Sequence, residues 1–158
     1  MALRFTKDVF GNQAIELAGR VVHPNLQTRK IGSAMLRHFI DLEKPNILTT
    51  YTRNPAILNM ICRVSDQVYP LNNTDLDLKA VAENMPYAES AQTGEVYHFN
   101  RYGEEGLFRG FDPADSPIIA KGRSLKEVFP ELHNYRHALV VAARVSKKLD
   151  AVEEVEII

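Results

Sequence analysis

"RVVHPNLQTRKIGSAML" (residues 20–36) carries the change of period that decides how this chain is read. Before it the residues alternate: Ile15, Leu17 and Val21 fall on one face of an extended run, Glu16, Ala18 and Arg20 on the other. From Ile31 the apolar positions Ile31, Met35, Phe39 and Leu42 recur at helical spacing, and Lys44-Pro45 closes the helix. Between the two lies a loop, 23–30, with an amide and two adjacent cations. A strand running through such a loop into a helix aims unpaired amides and partial positive charge at one point, which suits a phosphate. Gln27, Thr28, Arg29, Lys30, Gly32 and Ser33 are polar, cationic or minimal at that point, and Gly32 permits close backbone approach. Neither G-x-x-x-x-G-K-[ST] nor G-x-G-x-x-G is present, so an ordinary solvated helix start is the alternative.

Outward from this stretch, "LRFTKDVF" (3–10) and "QAIELAGRVV" (13–22) flank Gly11-Asn12 as a hairpin. "NILTTYT" (46–52) reads as a strand. Asn54-Pro55 starts a short helix whose apolar face is Ile57, Leu58, Ile61 and Cys62. "DQVYPL" (66–71) is a further strand. Residues 3–71 thus read β-β-α-β-α-β, the long helix being the crossover between parallel strands. Beyond Leu71 the spacing predicts a capped helix ended by Pro86, a strand within 94–104, a capping box at "SLKE" (124–127), and a buried strand over 137–145. The fold class expected is mixed α/β: one domain over 1–158, with a core half 1–72 and a divergent α/β extension 73–158.

A net charge of −1 gives no electrostatic case for nucleic acid or an anionic membrane. A single cysteine, Cys62, excludes an internal disulfide framework, and no apolar run approaches a membrane span. With no signal-peptide pattern at "MALRFTKDVF", the expected location is the cytoplasm.

The sequence of strand, loop, helix, strand and Asn54-Pro55-Ala56 resembles the GNAT superfamily of acyl-CoA-dependent N-acyltransferases, of which this would be a truncated or divergent member. In that family a strand carrying V-x-P, here Val22-His23-Pro24, leads into Q/R-x-x-G-x-G/A, whose amides bind the coenzyme A pyrophosphate. Gln27 matches the first position and Gly32 the last; the first glycine is Lys30 here. The resemblance implies a coenzyme site formed by Val21, Val22, Gln27, Thr28, Arg29, Lys30, Ile31, Gly32 and Ser33, with Asn54 on the pantetheine arm. Acetyl-CoA or another acyl-CoA is the implied co-substrate, and an amine, small molecule or peptide, the acceptor.

The resemblance also implies Glu16 as the base that deprotonates the amine, usually through water. A solvent-facing strand carboxylate is the plainer reading of Glu16. The tyrosine with which the family protonates the departing thiolate aligns with Ile61, Arg63 stands at its lysine position, and Ser65-Asp66 replace Gly-Phe. Cys62, on an apolar helical face, reads as core. His23 is a loop residue that could be a base or an anion contact; His38 lies within the long helix. The aromatic and cationic stretch 97–110, with Tyr97, Arg101, Tyr102 and Arg109, reads as a packed hairpin or as the acceptor pocket, with Tyr97 or Tyr102 as proton donor. His133 and His137 have neither an intervening Glu nor a third ligand, so no metal site is assigned. The family's N-terminal acceptor half is missing; residues 73–158 or a second subunit would replace it, and the free sheet edge suggests a homodimer. Two alternatives stand: a non-catalytic binding or regulatory module of the same fold, and a mixed α/β dimer with no ligand. Strands that part between Val22 and Ile47 would support a coenzyme site; a flush pair with Lys30 filling the cradle would favour no ligand.

Overall fold

The computed structural model of the protein describes residues 2–7, 10–19, 30–71, 75–103, 111–116 and 122–147. β1 (Ala2–Lys7) and β2 (Gln13–Gly19) form the antiparallel hairpin, with Gly11 at φ 81° in its turn. α1 (Ile31–Glu43) leads to β3 (Ile47–Thr52), parallel to β2, and α2 (Pro55–Cys62) leads to β4 (Ser65–Tyr69). α3 (Leu76–Glu83) precedes a short hairpin, β5 (Glu89–Ser90) and β6 (Val96–His98). α4 (Leu125–Val128) and a 3-10 turn at Pro130–His133 precede β7 (Ala138–Val145). The protein is mixed α/β, with these strands in one mixed sheet.

Spatial order departs from chain order. β7 lies between β3, antiparallel along its whole length, and a second flank shared by β4 at Ala142–Val145 and β6 at Ala138 and Leu139. Paired on both sides and covered on both faces, β7 has Leu139, Val140 and Val141 wholly buried. Full burial of each such side chain contributes about 1.5–3 kcal/mol. One face of the sheet (Ile15, Leu17, Leu48, Leu139, Val141) packs against Leu36 and Ile40 of α1, Leu58 and Ile61 of α2, and Leu125 of α4. The other (Ala14, Ile47, Val140, Ala142) packs against Leu78, Val81 and Ala82 of α3.

Local chemistry accounts for the helix ends. Asn54 Oδ1 accepts from Ala56 N–H at 2.9 Å, with Pro55 in the first position. Asp75 accepts from Asp77 and Leu78, and the Ser124–Glu127 capping box forms in both directions. The buried row of α1 is Gly32, Leu36 and Ile40, not the expected Ile31, Met35, Phe39 and Leu42; Leu42 is exposed and the other three lie half-buried alongside. Both rows repeat every four residues, so periodicity alone leaves the helix free to rotate by one residue. The strand expected within 94–104 is confined, among the described residues, to Val96–His98, because Asn100 takes a left-handed φ of 51°.

One buried cation joins distant parts of the chain. Arg53 leaves β3 with a 1% exposed side chain and places all five N–H donors. Nε donates to Asp112 Oδ1 at 2.8 Å and Nη2 to Asp112 Oδ2; the carbonyls of Leu132 (3.0 Å), Asn134 (3.0 Å) and His137 (2.6 Å) take the rest. Lys126 adds a second cation 3.0 Å from Asp112. Burial alone would raise the Asp112 carboxyl, but the bonds from Arg53, Lys126 and the Ala114 amide hold it at about 2. Its contribution is complete above the unfolded value of 3.8 and is lost as pH falls toward about 2. Urea midpoints of wild type and Asp112→Asn should therefore converge across that acid window. Arg53→Met, which strands three carbonyls and leaves Asp112 with only Lys126 and the Ala114 amide, should cost about 3–5 kcal/mol near neutrality.

Candidate functional site

The β2–β3 ladder pairs Ala14, Ile15 and Glu16 with Ile47, Leu48 and Thr49, and goes no further. Each strand continues for three more residues, to Gly19 and Thr52. Beyond the last pair a side chain substitutes for the ladder: Thr50 Oγ1 donates to Leu17 O at 2.9 Å. α1 closes beside the start of both strands, where Asn46 N–H bonds Gln13 O at 3.0 Å. Its 13 residues span about 20 Å, which carries its N-terminus back toward the end where the ladder has stopped. α2 begins at that same end, directly after β3. In an open sheet the crevice outside the carboxyl ends of parallel strands is where ligands bind.

Of the expected coenzyme residues, Val21, Val22, Gln27, Thr28 and Arg29 lie outside the described residues, as does His23. Lys30 is the N-cap of α1 in the left-handed region, φ 55°, a conformation that favours glycine. Its carbonyl accepts from Ser33 and Ala34, while the amides of Ile31 and Gly32 meet no acceptor among the described residues. Among the described residues no side chain caps this end, and no acid lies in its first turn to offset the helix dipole. Gly32 is buried. The Asn54 carbonyl oxygen is spent on its helix cap; its Nδ2 donates to none of the described residues.

Glu16 is not solvent-facing. It is 3% exposed, on the sheet face opposite Ile15 and Leu17. Tyr87, just past α3, donates its hydroxyl to Glu16 Oε1 at 2.9 Å, and Arg4 Nη1 stands 3.5 Å from Oε2. Burial and the adjacent carboxylate push the Tyr87 hydroxyl well above the usual tyrosine range, so it remains a donor. His98 stacks on Tyr87 (centroids 4.7 Å apart, planes 14°), and Tyr51 stands perpendicular to both rings at 5.1 and 5.0 Å. Arg101 lies over the Tyr51 ring at 5.0 Å. Burial, then the Arg101 charge, lowers the His98 pKa and favours its neutral form. Thr49, level with Glu16 in the ladder, has a buried hydroxyl with no hydrogen-bond partner among the described residues.

The remaining candidates separate cleanly. Tyr97 is wholly buried, packed with Phe99 in the core on the α1–α2 face, because it alternates with His98; it does not reach Glu16. Tyr102 is half-buried under Arg101, and Arg109 lies outside the described residues. His38 is exposed against Phe39, and Cys62 is half-buried against the core, its thiol pushed up by burial. His137 Nδ1 accepts from Asn100 N–H at 3.2 Å, while His133 is exposed. Among the described residues no group of three or more His, Cys, Asp or Glu is placed to hold a metal ion. A cleft lined by Tyr69, Asp75, Lys79, Thr93 and Glu95 contains none of the expected site residues.

Sequence reasoning missed Tyr87, Tyr51 and Arg4. Tyr87 is 71 positions from Glu16 and sits in no periodic element, so no local signal links them. Replacing Tyr87 with Phe, which removes one hydrogen bond from a buried carboxylate, should lower stability by about 1–3 kcal/mol in urea denaturation. Tyr135→Phe, on an exposed ring, should stay within about 0.5 kcal/mol. Compared with known proteins, the chain matches no family model, no curated protein and no solved structure.

Proposed function

We propose that this protein binds an acyl-CoA and transfers the acyl group to an amine. The observation that carries the reading is the β2–β3 ladder stopping at Glu16–Thr49, in a sheet with α1 and α2 packed on one face and the buried Glu16 carboxylate on the other. The amides of Ile31 and Gly32, which meet no acceptor among the described residues, the absence of acid in the first turn of α1, and Lys30 in a glycine-like conformation fit a bound pyrophosphate. Asn54 Nδ2 is available to a pantetheine amide. The coenzyme would supply the thioester and its thiolate leaving group.

Glu16 is then the base that takes the amine proton. The buried Thr49 hydroxyl, level with it in the ladder and without a partner among the described residues, would offer a bond to an intervening water. Tyr87 fixes the Glu16 carboxylate in one orientation. β1, the outer strand of the sheet, is the edge on which we expect a second copy to pair. Wholly buried Ile61 offers no proton donor where the resemblance calls for one, which favours the second reading, a coenzyme-binding module without turnover.

Calorimetry with acetyl-CoA and coenzyme A tests the first step. Wild type should bind both, and Gly32→Asp, which puts a carboxylate at the buried start of α1, should abolish it in a variant whose circular dichroism matches wild type. If wild type binds neither, the reading fails. With an accepted amine in hand, Glu16→Gln should lower turnover about 10²–10⁴-fold with coenzyme binding unchanged; equal turnover by the variant would remove Glu16 from the chemistry.

A further inference from the structure

We propose that the cluster of Glu16, Tyr51, Tyr87 and His98 is a site for an organic ammonium ion bearing an apolar stem, and that Arg4 and Arg101 are placeholders which this ligand displaces. The proposal deepens the amine-transfer reading by naming the class of acceptor, and rests on it for that role.

The fixed and the movable groups of this cluster differ in charge. The fixed groups are one carboxylate and three rings. Glu16 is held by Tyr87, and Tyr51, Tyr87 and His98 hold one another by stacked and perpendicular contacts. His98, which favours its neutral form, adds no positive charge at neutral pH. The movable groups are two guanidiniums on long exposed stems. Arg4 is 65% exposed and reaches Glu16 Oε2 at 3.5 Å without a close hydrogen bond. Arg101 is exposed and lies over Tyr51.

A rigid anion beside rigid aromatic faces is a receptor for cations. Both cation positions are filled by side chains whose contacts are solvent-screened and weak. The space taken by the Arg4 guanidinium is the space an ammonium would take, so no new cavity has to open. An aliphatic or aryl stem would replace Arg101 against the Tyr51 ring. An acceptor carrying a carboxylate makes the opposite demand, because the same two arginines would then be its anchors.

The sign of an arginine deletion separates the two. Phenethylamine, cationic at neutral pH, and phenylacetate, its anionic counterpart, are titrated into wild type, Arg4→Ala, Arg101→Ala and Glu16→Gln, with binding followed by NMR shifts. Each arginine deletion should tighten phenethylamine binding about two- to fivefold. Glu16→Gln should weaken it about tenfold or more. Phenylacetate should bind none of them. Weaker phenethylamine binding after arginine deletion, phenylacetate binding that needs Arg4 or Arg101, or no phenethylamine binding by wild type and both arginine variants would each overturn the proposal. An acetyl-CoA titration of the same samples keeps the two readings apart. Coenzyme binding without amine binding defeats only the acceptor assignment; amine binding without coenzyme binding leaves the cation site standing and defeats acyl transfer.

Discussion

A guanidinium with every donor satisfied inside the protein is a demanding arrangement, and Arg53 meets it with one carboxylate and three carbonyls drawn from residues 112–137. Removing a charge from water costs several kcal/mol, and only a complete set of partners offsets it. The partners must therefore all arrive together. Their arrival fixes the end of β3, and with it the first turn of α2, against the irregular stretch that precedes β7. The Asn54 cap and the end of the β2–β3 gap inherit their positions from this anchor.

The regular elements were legible because their signals are local. Asn54-Pro55, the Ser124–Glu127 box and the alternation around Glu16 each announce themselves within a few residues. The face that α1 buries was not legible, since Ile31, Met35 and Phe39 form as good an apolar row as Gly32, Leu36 and Ile40. What chose between them was the sheet beneath, a tertiary fact. Arg53 passed unnoticed for a related reason: as one arginine beside a helix start, it looks like any solvated cation until its partners, 59 to 84 positions away, are in place.

Of the candidate site, the face that carries Glu16 was legible and its surroundings were not. Alternation set Glu16 opposite Ile15 and Leu17, and that much held. Its burial did not follow from alternation, because the second face of the sheet is covered by α3 and by the turn carrying Tyr87, neither of which the first 71 residues foretell. The stretch after β5 looks in sequence like one aromatic group, yet the pleat divides it: Tyr97 goes to the core and His98 stacks on Tyr87. A one-residue difference in register thus separates a core residue from one that joins the rings beside Glu16.

β7, the central strand, is built from residues 138–145. During synthesis β3 and β4 are both finished long before the strand that lies between them exists, so each waits with an unpaired edge. Contacts of such long sequence separation make folding slow, and waiting edges are templates for pairing with other chains. A nascent chain stalled before residue 138 would hold most of its apolar residues and no centre to pack them around. The burden of keeping that intermediate soluble falls on the ribosome and its attendant chaperones.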